Sequence, residues 1–197
     1  MRYPPDQKAR ARRALVHAGA RSLKTSGFNG IGVDGLAAAA GVTSGAFYSN
    51  FPNKEAMLEA VIDACVGEPF LSGTDSGSLA EKRSRLQSFL DEYISTQHSA
   101  DPADGCVMPA LSADVSRAHP AVKEAYERKL AALVDRIAGL LEGERSDRVR
   151  RAWSVVALMV GAIVISRGMP EDSESITASV KSARSTASAL VETATND

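Results

Sequence analysis

The 197 residues are 44% hydrophobic and 24% charged, the balance of ordinary globular material, with length for one large domain or two small ones. Two cysteines, Cys65 and Cys106, are too few for a disulfide framework and fit a reducing cytoplasm. The formal net charge of −1 conceals an asymmetry: residues 1–60 hold eight Lys/Arg against four acids, and the remainder fifteen against twenty. A basic first third on an acidic body is suited to meeting a polyanion.

The opening MRYPPDQKARARRAL lacks the apolar core of a signal peptide, so the expectation is a cytoplasmic protein. Helical periodicity then dominates. Leu15, Ala18, Gly19, Ser22 and Leu23 make a narrow stripe of mostly small residues on a first helix closed by Gly27. Val33, Leu36, Ala37 and Ala40 repeat the spacing over a shorter helix stopped by Gly41. Thr43 or Ser44 caps a third through Phe51, which Pro52 ends, and Asn53 caps a fourth over 54–66.

Gly67–Ser78, GEPFLSGTDSGS, reads as a linker. Beyond it Leu79, Leu86, Leu90, Tyr93 and Ile94 share a helical face, and SADPADG breaks the pattern. A helix follows from near Met108 to before Pro120, and another from Val122 through Leu140 to near Gly143. Ala152–Ser166 carries no charge, but its fifteen residues fall short of the roughly 20 a membrane span needs. It reads as a helix buried on all sides, in a core or a subunit interface, with no membrane partner. Ile176, Val180, Ala183, Ala187 and Leu190 mark the last helix. No stretch alternates over strand length, so the predicted fold is all-α.

Two motifs compete in the first third. Gly30-Ile31-Gly32-Val33-Asp34-Gly35 fits G-x-G-x-x-G, but a dinucleotide site needs a strand before it, and here an amphipathic helix precedes it. Residues 33–51 instead make a helix, a glycine turn at Gly41-Val42-Thr43 and a second short helix, the pattern of a helix-turn-helix. Ala37 and Ala40 let its two helices cross closely.

The run AAAAGVTSGAFYSNFPNKEAMLEAV resembles the N-terminal signature of the TetR family of transcriptional regulators, and the resemblance extends over residues 13 to about 62. It implies that Thr43 and Ser44 open the recognition helix with hydroxyls for phosphate or a base edge. Gly45 and Ala46 would allow close approach, the Ala46 methyl to a thymine methyl. Phe47 and Phe51 would hold the helix from inside, Tyr48 would contact phosphate, and Lys54 would add charge at the next helix N-terminus. The chain departs from the family in having Gly32 where many relatives carry a hydroxyl. It also lacks Lys and Arg between Thr43 and Asn53, which disfavours guanine reading and leaves discrimination to Ser44, Ser49, Asn50 and DNA shape. Lys8, Arg10, Arg12 and Arg13 are candidates for backbone or minor-groove contacts.

Residues 67–197 match the family only in style, with GCVMPALSADVS resembling a common segment at the start of the sixth helix. The resemblance implies a helix-turn-helix DNA-binding domain over 1–66 and a larger helical ligand-binding and dimerisation domain over 67–197. Its last two helices would form a homodimer interface that sets two heads on a palindromic operator. A small-molecule effector would release a repressor; an activator with the same head is the alternative. Candidate pocket residues are Phe89, Tyr93, Cys106, Met108, Leu111, Tyr126 and Trp153. Cys106, after Gly105 and near a helix N-terminus, also raises a redox sensor or a small helical thiol enzyme, though no base partner is evident. No metal or cofactor is expected: His98 and His119 are far apart, His17 lies on the basic helix, and exposed or capping roles suit all three.

Overall fold

The computed structural model describes residues 5–67 and 76–192. Among these residues every regular element is a helix. They are α1 (Pro5–Gly30), α2 (Val33–Ala39), α3 (Ser44–Asn50), α4 (Lys54–Cys65), α5 (Leu79–Tyr93), α6 (Thr96–Ala100), α7 (Val107–Arg117), α8 (Pro120–Ala138), α9 (Arg145–Arg167) and α10 (Glu174–Glu192). The chain divides into two compact units, the first made of residues up to Val66 with Cys106–Lys129, the second of Gly67–Gly105 with the residues from Leu130 onward. Most of the linker expected over 67–78 falls on residues 68–75, outside the described residues.

In the first unit α1 carries Leu15, Ala20 and Leu23 into a core shared with Leu36, Phe47, Met57, Leu58, Val61 and Ile62. The small stripe has a steric reason: a Cβ on Gly19 would stand 1.9 Å from Met57 Cε, so α1 and α4 meet almost backbone to side chain. The first helix ends at Gly27 as expected, where φ 70° and ψ 169° break the helical geometry, and a further short helical stretch runs on to Gly30. At the end of α2, Gly41 adopts φ 67°, Val42 N–H donates to Ala37 O at 2.9 Å and Gly41 N–H donates to Ala38 O at 3.0 Å. This glycine-dependent closure satisfies carbonyls that the helix leaves open and turns the chain into α3. Asn53 Oδ1 then caps α4 by accepting from Ala56 N–H at 2.8 Å.

Two later elements complete this unit. Asp114 of α7 accepts from Phe28 N–H at 3.0 Å, at the break in α1, and pairs with Arg117 at 3.1 Å. Glu55 of α4 accepts from His119 N–H at 3.3 Å, and Asp63 pairs with Arg128 of α8 at 2.8 Å.

In the second unit Ser78 and Glu81 form a reciprocal cap on α5. Leu86, Leu90 and Tyr93 are buried as expected, whereas Leu79, in the first turn, is exposed. Between Ile94 and the expected break at 99–105 lies the short α6, capped by Ser95 and running only into the first two residues of that break. α8 stops at Ala138 rather than near Gly143, and Leu140 and Leu141 are buried from the connecting turn. α10 packs along α9 and also meets α5 and α6.

By length and composition alone α9 is able to cross a membrane. Its Ala152, Val155, Val156, Met159, Ala162 and Ile163 are nevertheless buried in the unit's core. The expectation was burial in a core or a subunit interface; within this chain the other side is open, with Trp153 45%, Val164 46% and Ile165 55% exposed. Arg151, only 2% exposed, donates to Asp147 at 2.7 Å, to Leu190 O of α10 at 2.9 Å and to Glu142 O. A buried guanidinium is tolerable because its donors have acceptors on three sides.

Candidate nucleic-acid interface

The site forms around α3, a helix of seven residues held from below by two aromatics. Phe47 and Phe51 are buried, their centroids 5.8 Å apart, while Tyr48 stands edge-on to Phe47 at 5.5 Å and is 58% exposed. Exposing a phenol beside two buried rings runs against hydrophobic burial, so this is the side chain of α3 most plainly turned outward.

The polar groups of α3 are largely engaged with the protein itself. Thr43 Oγ1 caps the helix, accepting from Ala46 N–H at 3.2 Å. Ser44 donates its hydroxyl proton to Asp34 Oδ1 at 2.5 Å, and Ser49 donates its own to Gly45 O at 2.6 Å. Asn50 Nδ2 donates to Ala46 O at 2.8 Å, and its Oδ1 is buried without a hydrogen-bond partner. Gly45 and Ala46 leave the surface between these groups free of bulk.

Two cations flank the helix. Arg12 of α1 donates to Asn50 O at 3.0 Å and lays its guanidinium 4.3 Å from the centre of the Phe51 ring. It therefore ties the C-terminal end of α3 to α1. Lys54 sits 4.2 Å over the Phe28 ring. Desolvation there holds its pKa below the ordinary 10.5, partly opposed by the charge of Asp114.

The seven pocket candidates are divided between the compact units. In the first, Met108 and Leu111 are buried on α7, and Cys106 Sγ, half-buried, accepts from Met108 N–H at 3.5 Å. Tyr126 shares a hydrogen bond of 2.6 Å with Ser112, and burial pushes its phenol pKa up. In the second, Phe89 and Tyr93 rings lie 5.6 Å apart, and Tyr93 also packs edge-on at 4.4 Å against His98. Trp153 faces outward on α9. His98 bonds Tyr93 O through Nδ1 at 2.7 Å, and His119 accepts from Ala121 N–H at the start of α8. Among the described residues no three His, Cys, Asp or Glu side chains cluster as metal ligands.

Sequence reasoning missed Asp34 and Asp114. Asp114 lies seven residues after Val107 and three after Leu111, on the apolar face of α7, and an acid in that position signals a buried partner. Asp34 left no such signal, since its partner Ser44 is set only by how α2 crosses α3.

Residues 15–61 match the family of bacterial regulatory proteins designated the tetR family. A TetR-family transcriptional regulator from Cytophaga hutchinsonii superposes with a TM-score of 0.72 at 19% identity, covering 98% of this chain and 100% of that one. One from Chloroflexus aurantiacus J-10-FL gives 0.72 at 19%, covering 95% and 97%. The reduced form of NemR from E. coli gives 0.67 at 21%, covering 89% and 95%. No curated protein sequence gives a significant match. Residues 15–61 thus belong to the tetR family of bacterial regulatory proteins, and the chain as a whole has the fold of TetR-family transcriptional regulators.

Proposed function

We propose that the protein is a cytoplasmic, homodimeric repressor that binds a palindromic DNA operator and is released by a small-molecule effector. The observation that carries the reading is the helix-turn-helix of residues 33–51: its glycine closure turns the chain into α3, which leaves Tyr48 and a small-residue surface outward. In this reading residues 1–66 are the DNA-binding domain and 67–197 the ligand-binding and dimerisation domain, and the chain acts by binding rather than by catalysis. Thr43, Ser44, Gly45, Ala46, Tyr48, Ser49, Asn50 and Lys54 meet DNA. Phe89, Tyr93, Cys106, Met108, Leu111, Tyr126 and Trp153 are the candidates for sensing the effector.

The dimer is supported by complementary textures on α9 and α10. Trp153, Ala157 and Val164 follow one face of α9, and the outward positions of α10 include Ala178, Ser182, Ser185 and Ala189. Large apolar groups against small ones suit a close helix interface, which places two recognition helices on successive half-sites. Effector release then needs about 5.5 kcal/mol of differential affinity to move occupancy from 1:99 to 99:1.

The test is fluorescence anisotropy of the purified protein with DNA flanking its own gene, across a salt series. Saturable binding that discriminates against random duplex is the expected result; no binding even at low salt overturns it. Effectors that lower occupancy mark a repressor, whereas an activator would keep or gain occupancy with them. A second reading puts the signal on Cys106, whose Sγ is half-buried at the start of α7 against Met108 N–H. Loss of DNA binding on peroxide treatment, abolished in Cys106→Ser, would favour it.

A further inference from the structure

We infer that α3 reads the amino groups of bases, and that Asp34 of α2 is the residue that makes it do so. The inference rests on the reading of the head as a DNA-binding domain and deepens it. A serine hydroxyl has one proton and two lone pairs, so it discriminates between base edges only if something else fixes the proton. Here the proton of Ser44 goes to Asp34 Oδ1 at 2.5 Å, a short bond of hydroxyl to carboxylate. What Ser44 offers to a groove is an acceptor.

Ser49 arrives at the same state by another route, its proton spent on Gly45 O at 2.6 Å within α3. Neither group then suits a phosphate, whose oxygens only accept. Neither suits the O6 and N7 of guanine or the O4 of thymine, which are acceptors as well. The major-groove partners left are the N6 amino group of adenine and the N4 amino group of cytosine. With no Lys or Arg between Thr43 and Asn53, no cationic donor on α3 itself offsets that preference.

Asp34 has a further effect through its charge. It lies in the first turn of α2, exposed beside the start of α3, where a carboxylate repels DNA phosphates. Such a group lowers affinity for every duplex while sharpening the choice among them. Asp34 is therefore a specificity-determining residue that acts through Ser44.

The experiment is selection from a pool of random duplexes by the full-length protein, repeated with Asp34→Ala, Asp34→Asn, Ser44→Ala and the Asp34→Ala/Ser44→Ala double variant. Wild type should prefer adenine or cytosine over guanine or thymine on the contacted strand by about tenfold at the position Ser44 reads. Asp34→Ala frees the hydroxyl to rotate and donate, so that preference should collapse there and survive at the position read by Ser49. Ser44→Ala should flatten the same position, and the double variant should match it. Asp34→Asn keeps an acceptor for Ser44, so it should retain the preference while binding all duplexes more tightly; it also serves as the folded control. An Asp34→Ala profile identical to wild type, or one altered at a position that Ser44→Ala leaves alone, overturns the inference. If wild type enriches no sequence at all, the DNA-binding reading itself fails, which the selection shows before any variant is compared.

Discussion

α3 and α9 expose opposite kinds of surface. On α3 the protons of Ser44 and Ser49 and the Nδ2 group of Asn50 are engaged by the protein, and the exposed ring of Tyr48 has its phenol as a polar handle. On α9, Trp153, Val164 and Ile165 face outward within the chain. A satisfied surface can tolerate water between encounters, which suits a partner that is bound and released. An apolar stripe costs free energy while it is wet, about 25 cal/mol per Å², and so favours a lasting partner. In the proposed function the chain thus separates a reversible contact from a standing one.

The strongest way to break that contrast is Val164→Glu. The outward stripe is where the proposed dimer buries α9, and an unpaired carboxylate there should cost about 3 kcal/mol or more, roughly a hundredfold in self-association. Sedimentation should show a monomer, and operator affinity should fall with it because one head grips one half-site. A variant that stays dimeric would mean that α9 faces solvent after all.

Next in size is Asp114→Ala, which tests whether internal hydrogen bonding is what holds the first compact unit together. It strands Phe28 N–H at the break in α1 and removes the negative charge beside Lys54. The expected loss is about 1–3 kcal/mol of stability, read from the urea midpoint. Asp114→Asn keeps an acceptor for Phe28 and should recover most of it; equal losses in both variants would assign the effect to charge alone.

The same contrast marks what was legible in the sequence. Helix existence followed from apolar spacing, and the turn into α3 from Gly41, because both are local. The outward face of α9, the proposed dimer surface, was half legible: its lack of charge predicted burial, but which side stays outward depends on where α10 packs. The end at Gly27 was legible, but the short helical stretch beyond it was not, because the acceptor for Phe28 N–H, Asp114, is 86 residues away. The hydroxyls of α3 were legible as residue types only. Their proton directions depend on Asp34 and on the helix's own carbonyls, which spacing cannot supply.

Arg12→Ala should have a smaller effect and sharpens the account of α3. As a basic residue in the first third it was a candidate for DNA contact, but it donates to Asn50 O and covers Phe51. If it only positions α3, specific affinity should fall about fivefold to tenfold, on the order of 1 kcal/mol, while the salt slope on random duplex stays unchanged. A slope reduced by about one, with all sequences weakened alike, would identify a phosphate contact instead.

The smallest expected effect concerns the carboxylate of Asp147 at the base of α9. Hydrogen bonding to Arg150, then to Arg151, holds the carboxyl of Asp147 below its ordinary value of 3.8. A lowered native pKa means that the unfolded chain takes up the proton first as pH falls. The stabilisation is therefore complete above the ordinary value and is lost progressively below it, through the lowered native one. Glu81 titrates in the same direction, lowered chiefly by the Ser78 backbone N–H, so it belongs to the same acid limb. Asp147→Asn should make thermal stability less steep with pH below about 4 while leaving the Glu81 contribution in place. Glu81→Gln should remove the complementary part. An acid limb unchanged by Asp147→Asn would mean that Arg151 is held by the carbonyls of Glu142 and Leu190 alone, and that α9 is anchored to α10 without help from its own first turn.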